Sequence, residues 1–107
     1  MNRADTVAKI KAARAEARIK ANAYMNIAGK RYDYWRSLAT AMTYDEALTM
    51  FMRGTEHDIP GMANYALANF EWARDSEASE VNLAVADGRR DAFATIAEWM
   101  TTEESDR

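Results

Sequence analysis

The 107 residues, with 14 Lys/Arg, 17 Asp/Glu and a net charge of −3, suffice for one domain or a small domain plus an arm. The absence of Cys excludes disulfides, thiol nucleophiles and cysteine metal sites, and makes a reducing cytoplasm the expected compartment. The charge is divided unevenly: residues 1–36 hold nine Lys/Arg against three Asp/Glu, and residues 37–107 hold five against fourteen, which points to a charged macromolecular partner.

Residues 2–28 read as a first helix. Before Tyr24 its only large apolar residues besides Met1 are Val7, Ile10 and Ile19, and Ile19 falls opposite the other two. Alanine supplies helix propensity but little surface to bury. Residues 1–22 are therefore expected as a basic, Ala-rich helical arm that either projects or is covered by a partner. Arg3, Lys11, Arg14 and Arg18 fall within an arc of roughly 80° on a regular helix, a stripe able to track phosphates. Basic, Ala-rich starts also occur in mitochondrial presequences, but this one contains no Ser and is poorly amphipathic.

After Gly29, a second helix is expected over about Arg31–Ala41. Lys30-Arg31-Tyr32-Asp33-Tyr34-Trp35-Arg36 interleaves cations with aromatics, a pattern that stacks bases. Tyr34, Trp35, Leu38 and Met42 have the spacing of a core stripe, which leaves Tyr32 and Arg36 on the opposite face. Thr43-Tyr44-Asp45-Glu46 is a capping box and predicts a third helix start; that helix stops near Arg53 and buries Tyr44, Leu48, Phe51 and Met52. Met42, Met50, Met52 and Met62 are read as gap-fillers of a core rather than as an adaptable binding surface, with Met50 lying off the apolar face.

His57 is the only histidine. Its neighbours Glu56 and Asp58 are too close in sequence to close a metal site around it, so the segment reads as a solvated turn in which Asp58 caps the next helix. Ile59-Pro60-Gly61 opens a fourth helix running to about Ala86, with Ser76 and Ser79 as an alternative break. It carries Met62, Tyr65, Ala66, Phe70 and Ala73, then weakly Val81, Ala84 and Val85. A fifth helix, Arg89–Thr101, carries Phe93, Ile96, Ala97 and Met100. Gly in a helix interior costs only about 1 kcal/mol relative to Ala, so the last two equally make one bent helix through Gly88. No β-branched run alternates as a strand would, and no apolar run reaches membrane-span length.

The remaining motifs read as local pairing. Gly88-Arg89-Arg90-Asp91 places two arginines beside a helix start, where they either hold an anion or, as favoured, pair with Asp87 and Asp91. Glu71 with Asp75, Glu77 with Glu80, Asp87 with Asp91, and Glu103-Glu104 with Asp106 read as solvated faces; aligned on one helix face they would instead mimic a phosphate backbone.

The expected architecture is all-α: a small four- to five-helix bundle with a basic, partly packed N-terminal helix. It divides into an arm (1–22), a bundle domain with its core between Tyr24 and Met100 (23–101), and an acidic frayed tail (102–107). No motif reaches family specificity. The catalytic inventory is thin, with no phosphate loop and no plausible triad, so no enzyme, metal or cofactor is expected. The expected function is a non-catalytic interaction protein that docks on a larger protein assembly as a small regulator, inhibitor or adaptor. Small phage- or plasmid-encoded inhibitors of host machinery share this profile by analogy. The candidate contact residues are Lys9, Lys11, Arg14, Arg18, Lys20, Arg31, Tyr32 and Arg36. The alternatives are a nucleic-acid-binding protein using the basic helix, and an acidic nucleic-acid mimic. Pairing of the basic helix with the chain's own acidic part, within one molecule or in a homodimer, is a further possibility.

Overall fold

The computed structural model describes residues 2–105, with side chains to 101. Four helices form: α1 (Arg3–Tyr24), α2 (Arg31–Arg53), α3 (Ile59–Asp75) and α4 (Glu80–Ser105), with a single 3-10 turn (Glu56–Asp58) leading into α3. No strand is present among the described residues. The expected all-α bundle is what forms.

Local chemistry sets most boundaries. The Asn2 side chain accepts the Asp5 N–H at 2.8 Å and caps α1. Gly54 closes α2 in the left-handed conformation, φ 74°, which glycine adopts without a Cβ penalty. Pro60 sits in the first turn of α3, where its missing N–H has no intrahelical partner. Asp58 occupies the cap position there, but its side chain makes no capping bond. The serine break proves real: α3 ends at Asp75, Glu77 takes a positive φ of 56°, and Ser79 Oγ accepts the Asn82 N–H at 3.2 Å at the start of α4.

One expected boundary does not exist. The capping box at Thr43 lies inside α2, because no breaker separates Ala41 from Thr43 and the helix simply continues. Thr43 is buried, and its hydroxyl donates to the Ala39 carbonyl at 2.8 Å. At Gly88, where a helix end and a continuous helix were both open, the continuous one forms, since Gly88 lies inside α4.

The helices pack in the order α1, α2, α4, α3. α2 and α4 lie side by side, α1 docks on α2 with a lesser contact to α4, and α3 packs chiefly on α4. The particle is elongated, 46 × 29 × 22 Å. The core joins Ile10 of α1, Tyr44, Ala47, Leu48 and Phe51 of α2, Ile59 and Ala66 of α3, and Ala92, Phe93 and Ile96 of α4. Tyr44 stacks on Trp99 with ring centroids 6.4 Å apart.

The first helix is not a projecting arm, and the core does not begin at Tyr24. Thr6, Ile10, Ala17 and Ala21 are buried, with Ala13 half-buried between them. Their spacing of four, three, four and four residues is one face of a helix. Small side chains on that face let two helices approach closely, so alanine here makes an interface although it contributes little apolar area. Ile19 is exposed on the other side, as its wheel position predicts.

The apolar stripes divide differently from expectation. Phe93 and Ile96 are fully buried, and Ala97 and Met100 pack against them, as read. The Trp35–Leu38–Met42 stripe is instead at the surface: Met42 is 63 % exposed, and Trp35 and Leu38 are half-buried. Among the methionines, Met62 packs on the core as read, whereas Met50, read as off the apolar face, also packs there and Met52, read as core, is 85 % exposed. On α3, Ala66 and Ala73 face inward while Tyr65 points to solvent. Of the acidic tail, residues 106–107 lie outside the described residues.

Candidate functional site

The basic face of α1 meets carboxylates supplied by the acidic part of the same chain. Arg3 Nε donates to Glu56 Oε1 at 2.9 Å, and its Nη2 donates to the Phe51 carbonyl. Arg14 Nη1 and Arg18 Nη2 each donate to Asp45 at 2.8 Å, one to each carboxylate oxygen. The Nε–H of Arg14 is buried without an acceptor. The Arg3 guanidinium holds the Glu56 carboxyl below its usual range. Lys20 lies 3.4 Å from Glu16 within α1, and Lys9 sits 5.6 Å over the Trp99 ring, a cation–π contact. Lys11 and Arg31 are exposed and have no carboxylate partner among the described residues. Half-exposed pairs of this kind contribute about 0–1 kcal/mol each. Their importance is in fixing which way α1 faces.

Tyr32 and Arg36, proposed as a stacking pair, do come together, around Asp87 of α4. Tyr32 Oη donates to Asp87 Oδ2 at 2.7 Å, and Arg36 Nε donates to the same oxygen at 2.9 Å. Arg90 Nη2 donates to Oδ1, and Arg36 also lies 3.6 Å from Asp91. Asp87 is only 9 % exposed, so it is not the solvated acid its sequence suggested. Burial by itself would raise its pKa. The hydrogen bonds from Tyr32, Arg90 and Arg36 outweigh that and hold it below the usual aspartate range. Burial, the hydrogen bond to Asp87 and that carboxylate's charge push the Tyr32 phenol up to about 12. The Arg36 guanidinium is desolvated, yet Asp87 and Asp91 still raise its pKa.

This sets an alkaline signature. The Tyr32 phenol binds its proton more tightly folded than unfolded, so its stabilising contribution is whole below the ordinary value of 10 and is lost as pH rises toward 12. Burial also raises the Tyr44 phenol, so ultraviolet tyrosinate titration is expected to show a late phase that Tyr32→Phe reduces without abolishing, leaving the earlier phase unchanged.

The other sequence candidates are placed plainly. His57 is exposed and lies 3.3 Å from Asp58 in the 3-10 turn. Arg89 and Arg90 are not at a helix start; Arg89 makes a two-pronged bond to Glu46 of α2, at 2.7 and 3.3 Å, and Arg90 turns back to Asp87. Pairing with Asp87 was expected, whereas Glu46 was read as a cap. Asp45 was likewise read only as part of the capping box. With Asp87, these two carboxylates organise the long-range polar contacts. Apart from the local Arg90–Asp87 pair, no local motif distinguishes them, because their other partners lie 27 to 55 residues away.

Two surface grooves follow the helix seams. Between α1 and α2, a groove of about 280 Å³ has Val7, Leu48 and Phe51 on its floor, the exposed Met52 at its α2 edge, and Arg3, Lys11 and Arg14 along the other wall. Between α2 and α4, a groove of about 290 Å³ is lined by Trp35, Leu38, Ala39, Met42, Thr43, Val85 and Arg89. A smaller polar cleft of about 130 Å³ lies where α1, α2 and α4 meet, with Lys20, Arg36, Glu16 and Asp91 around it. Its charged groups already pair with one another. On α3, Tyr65 and Trp72, separated by two helical turns, are 69 % and 70 % exposed.

Among the described residues no three His, Cys, Asp or Glu side chains gather as a metal site. No helix there is long and apolar enough to cross a membrane. Comparison of the chain with protein-family models, curated proteins and solved structures finds no match.

Proposed function

We propose that this chain is a non-catalytic interaction protein that docks on a larger protein assembly as a small regulator, inhibitor or adaptor. The observation that carries this reading is where the large apolar side chains lie. Trp35, Leu38 and Met42 have core spacing but line an open groove with Val85, and Met52 stands almost free beside Val7. Grouped exposed apolar side chains rimmed by charge are the usual composition of a protein-binding surface. The nucleic-acid alternative has less support, since Arg14, Arg18 and Arg36 of its contact set are engaged by Asp45, Asp87 and Asp91.

Affinity capture with the tagged chain from extract of its source cells, with and without nuclease, tests the proposal. Recovery of a defined protein complex that survives nuclease and is lost in a Met42→Glu or Met52→Glu variant is the expected result. Recovery that collapses with nuclease would transfer the function to nucleic acid. The charge reversal Arg14→Glu/Arg18→Glu probes that outcome better than deletion of residues 1–22, which would also strip Ile10 from the core.

A further inference from the structure

We infer that the α1–α2 groove is the docking site for an acidic amphipathic helix of a partner protein. This deepens the interaction-protein reading and rests on it. The basic stripe of α1 lines the groove with Arg3, Lys11 and Arg14 and continues beyond it to Arg18, and the carboxylates that reach the stripe are Glu56 and Asp45 alone among the described residues. Two positive charges are left uncompensated on one face of a chain whose net charge is −3. The groove itself is asymmetric. Its floor is Val7, Leu48 and Phe51, and Met52 rises at the α2 side with 85 % of its surface exposed. The α1 wall presents Arg3, Lys11 and Arg14 at i, i+8 and i+11, spacings that recur along one face of a helix.

An occupant matching both features carries Leu-, Ile- or Phe-sized side chains on its underside and Asp or Glu along one edge at helical spacing. The seam between two packed helices favours a third helix laid into it. Met52 gives the groove an adaptable thioether lip. Charge on the rim sets orientation and encounter rate, and the apolar floor retains the bound helix. A flat anionic bilayer fits less well, because Val7, Leu48 and Phe51 are recessed between the helices rather than raised above them.

The test uses the full chain with photoreactive benzoylphenylalanine at position 52, a site exposed enough to leave the fold intact, which a thermal melt verifies. A second chain carries the same group at position 42 in the α2–α4 groove. Both are irradiated in nuclease-treated extract of the source cells, and the cross-linked segment is sequenced by mass spectrometry. The expected adduct at 52 is an acidic, amphipathic protein segment, with a yield that falls about tenfold in Lys11→Glu, as a like charge on the rim requires. An adduct to a basic or non-amphipathic segment, to lipid, to residual nucleic acid or to a second copy of this chain would overturn the inference. So would an acidic adduct unaffected by Lys11→Glu. Adducts at 42 with none at 52 would overturn it while leaving the interaction-protein reading intact. Adducts at neither position would count against both.

Discussion

Gly88→Leu is expected to lower the melting temperature by about 10–20 °C, the effect of roughly 3 kcal/mol of overpacking in a domain of this size. A Cβ at residue 88 would run into the Arg36 carbonyl oxygen and come within 2.9 Å of Thr40 Oγ1 and 3.1 Å of Ala39 Cβ. The main obstacle is backbone, so no side chain can rotate out of the way. α2 and α4 must separate, and every contact near the crossing loosens, including the Thr40 hydroxyl bond to the Gly88 carbonyl at 3.4 Å. Gly88→Ala is the sharper comparison. In a free helix it would stabilise by about 1 kcal/mol; here it is expected to destabilise, because the helix gain is smaller than the cost of the displaced backbone. Circular dichroism melts of the three chains measure this directly. A raised melting temperature for Gly88→Ala would show that the two helices are not held this close.

The second large effect is at Asp87. Asp87→Ala is expected to cost about 2–3 kcal/mol, the range for hydrogen bonds to a charged group. The full penalty for breaking a buried pair does not apply, because the Arg36 and Arg90 side chains keep about a third of their surface exposed. The change strips the shared acceptor from Tyr32, Arg36 and Arg90 together. Asp87→Asn is expected to recover part of the loss, since an amide oxygen still accepts but carries no charge. The pH dependence has a definite sign. Asp87 has a lowered pKa in the fold, so its contribution is present above the ordinary value of 3.8 and disappears as pH falls through the lower, folded value. Urea unfolding should show the largest gap between the native chain and Asp87→Asn at neutral pH, closing as the solution is acidified below about pH 4. A gap that stays constant into strong acid would mean that Asp87 is not held as the carboxylate.

These two residues also mark where reading the sequence reached its limit. Phe93, Ile96, Leu48 and Phe51 were recognisable as core because large apolar residues at helical spacing contrast with polar neighbours. The Thr6–Ile10–Ala13–Ala17–Ala21 face was not. α1 contains eight alanines distributed around the helix, so the buried ones carry no contrast, and their role depends on how near α2 can come. Gly88 fails for the same reason: a glycine that ends a helix and one that admits a neighbouring backbone are identical in sequence, and only the crossing of α2 and α4 decides between them. Thr43-Tyr44-Asp45-Glu46 satisfied a local rule, but helix continuity across Met42 prevailed, freeing Asp45 and Glu46 to bind arginines from distant helices. Trp35, Leu38 and Met42 were read correctly as one apolar face. The side of the molecule it occupies depends on where α3 goes, and α3 lies on α4 instead of covering it. Of the proposed contact residues, only Lys11 and Arg14 line the α1–α2 groove; Val7, Leu48, Phe51 and Met52, which complete it, had been assigned to packing or left unassigned.

The outer position of α3 has a consequence for how the molecule opens. α1, α2 and α4 hold one another through the core and the ion pairs, whereas α3 is tied mainly to α4 and shows Tyr65, Leu67 and Trp72 to water. Its burial is limited to one side, through Ile59, Ala66 and Ala73. A cooperative unit of that kind lifts away at a smaller free energy than global unfolding. Its amides then exchange with solvent through a partly open state in which the three remaining helices stay docked. Native-state hydrogen exchange is expected to show two tiers of persistence, a lasting body of α1, α2 and α4 and a faster-exchanging α3 whose departure uncovers the α4 face it packs on.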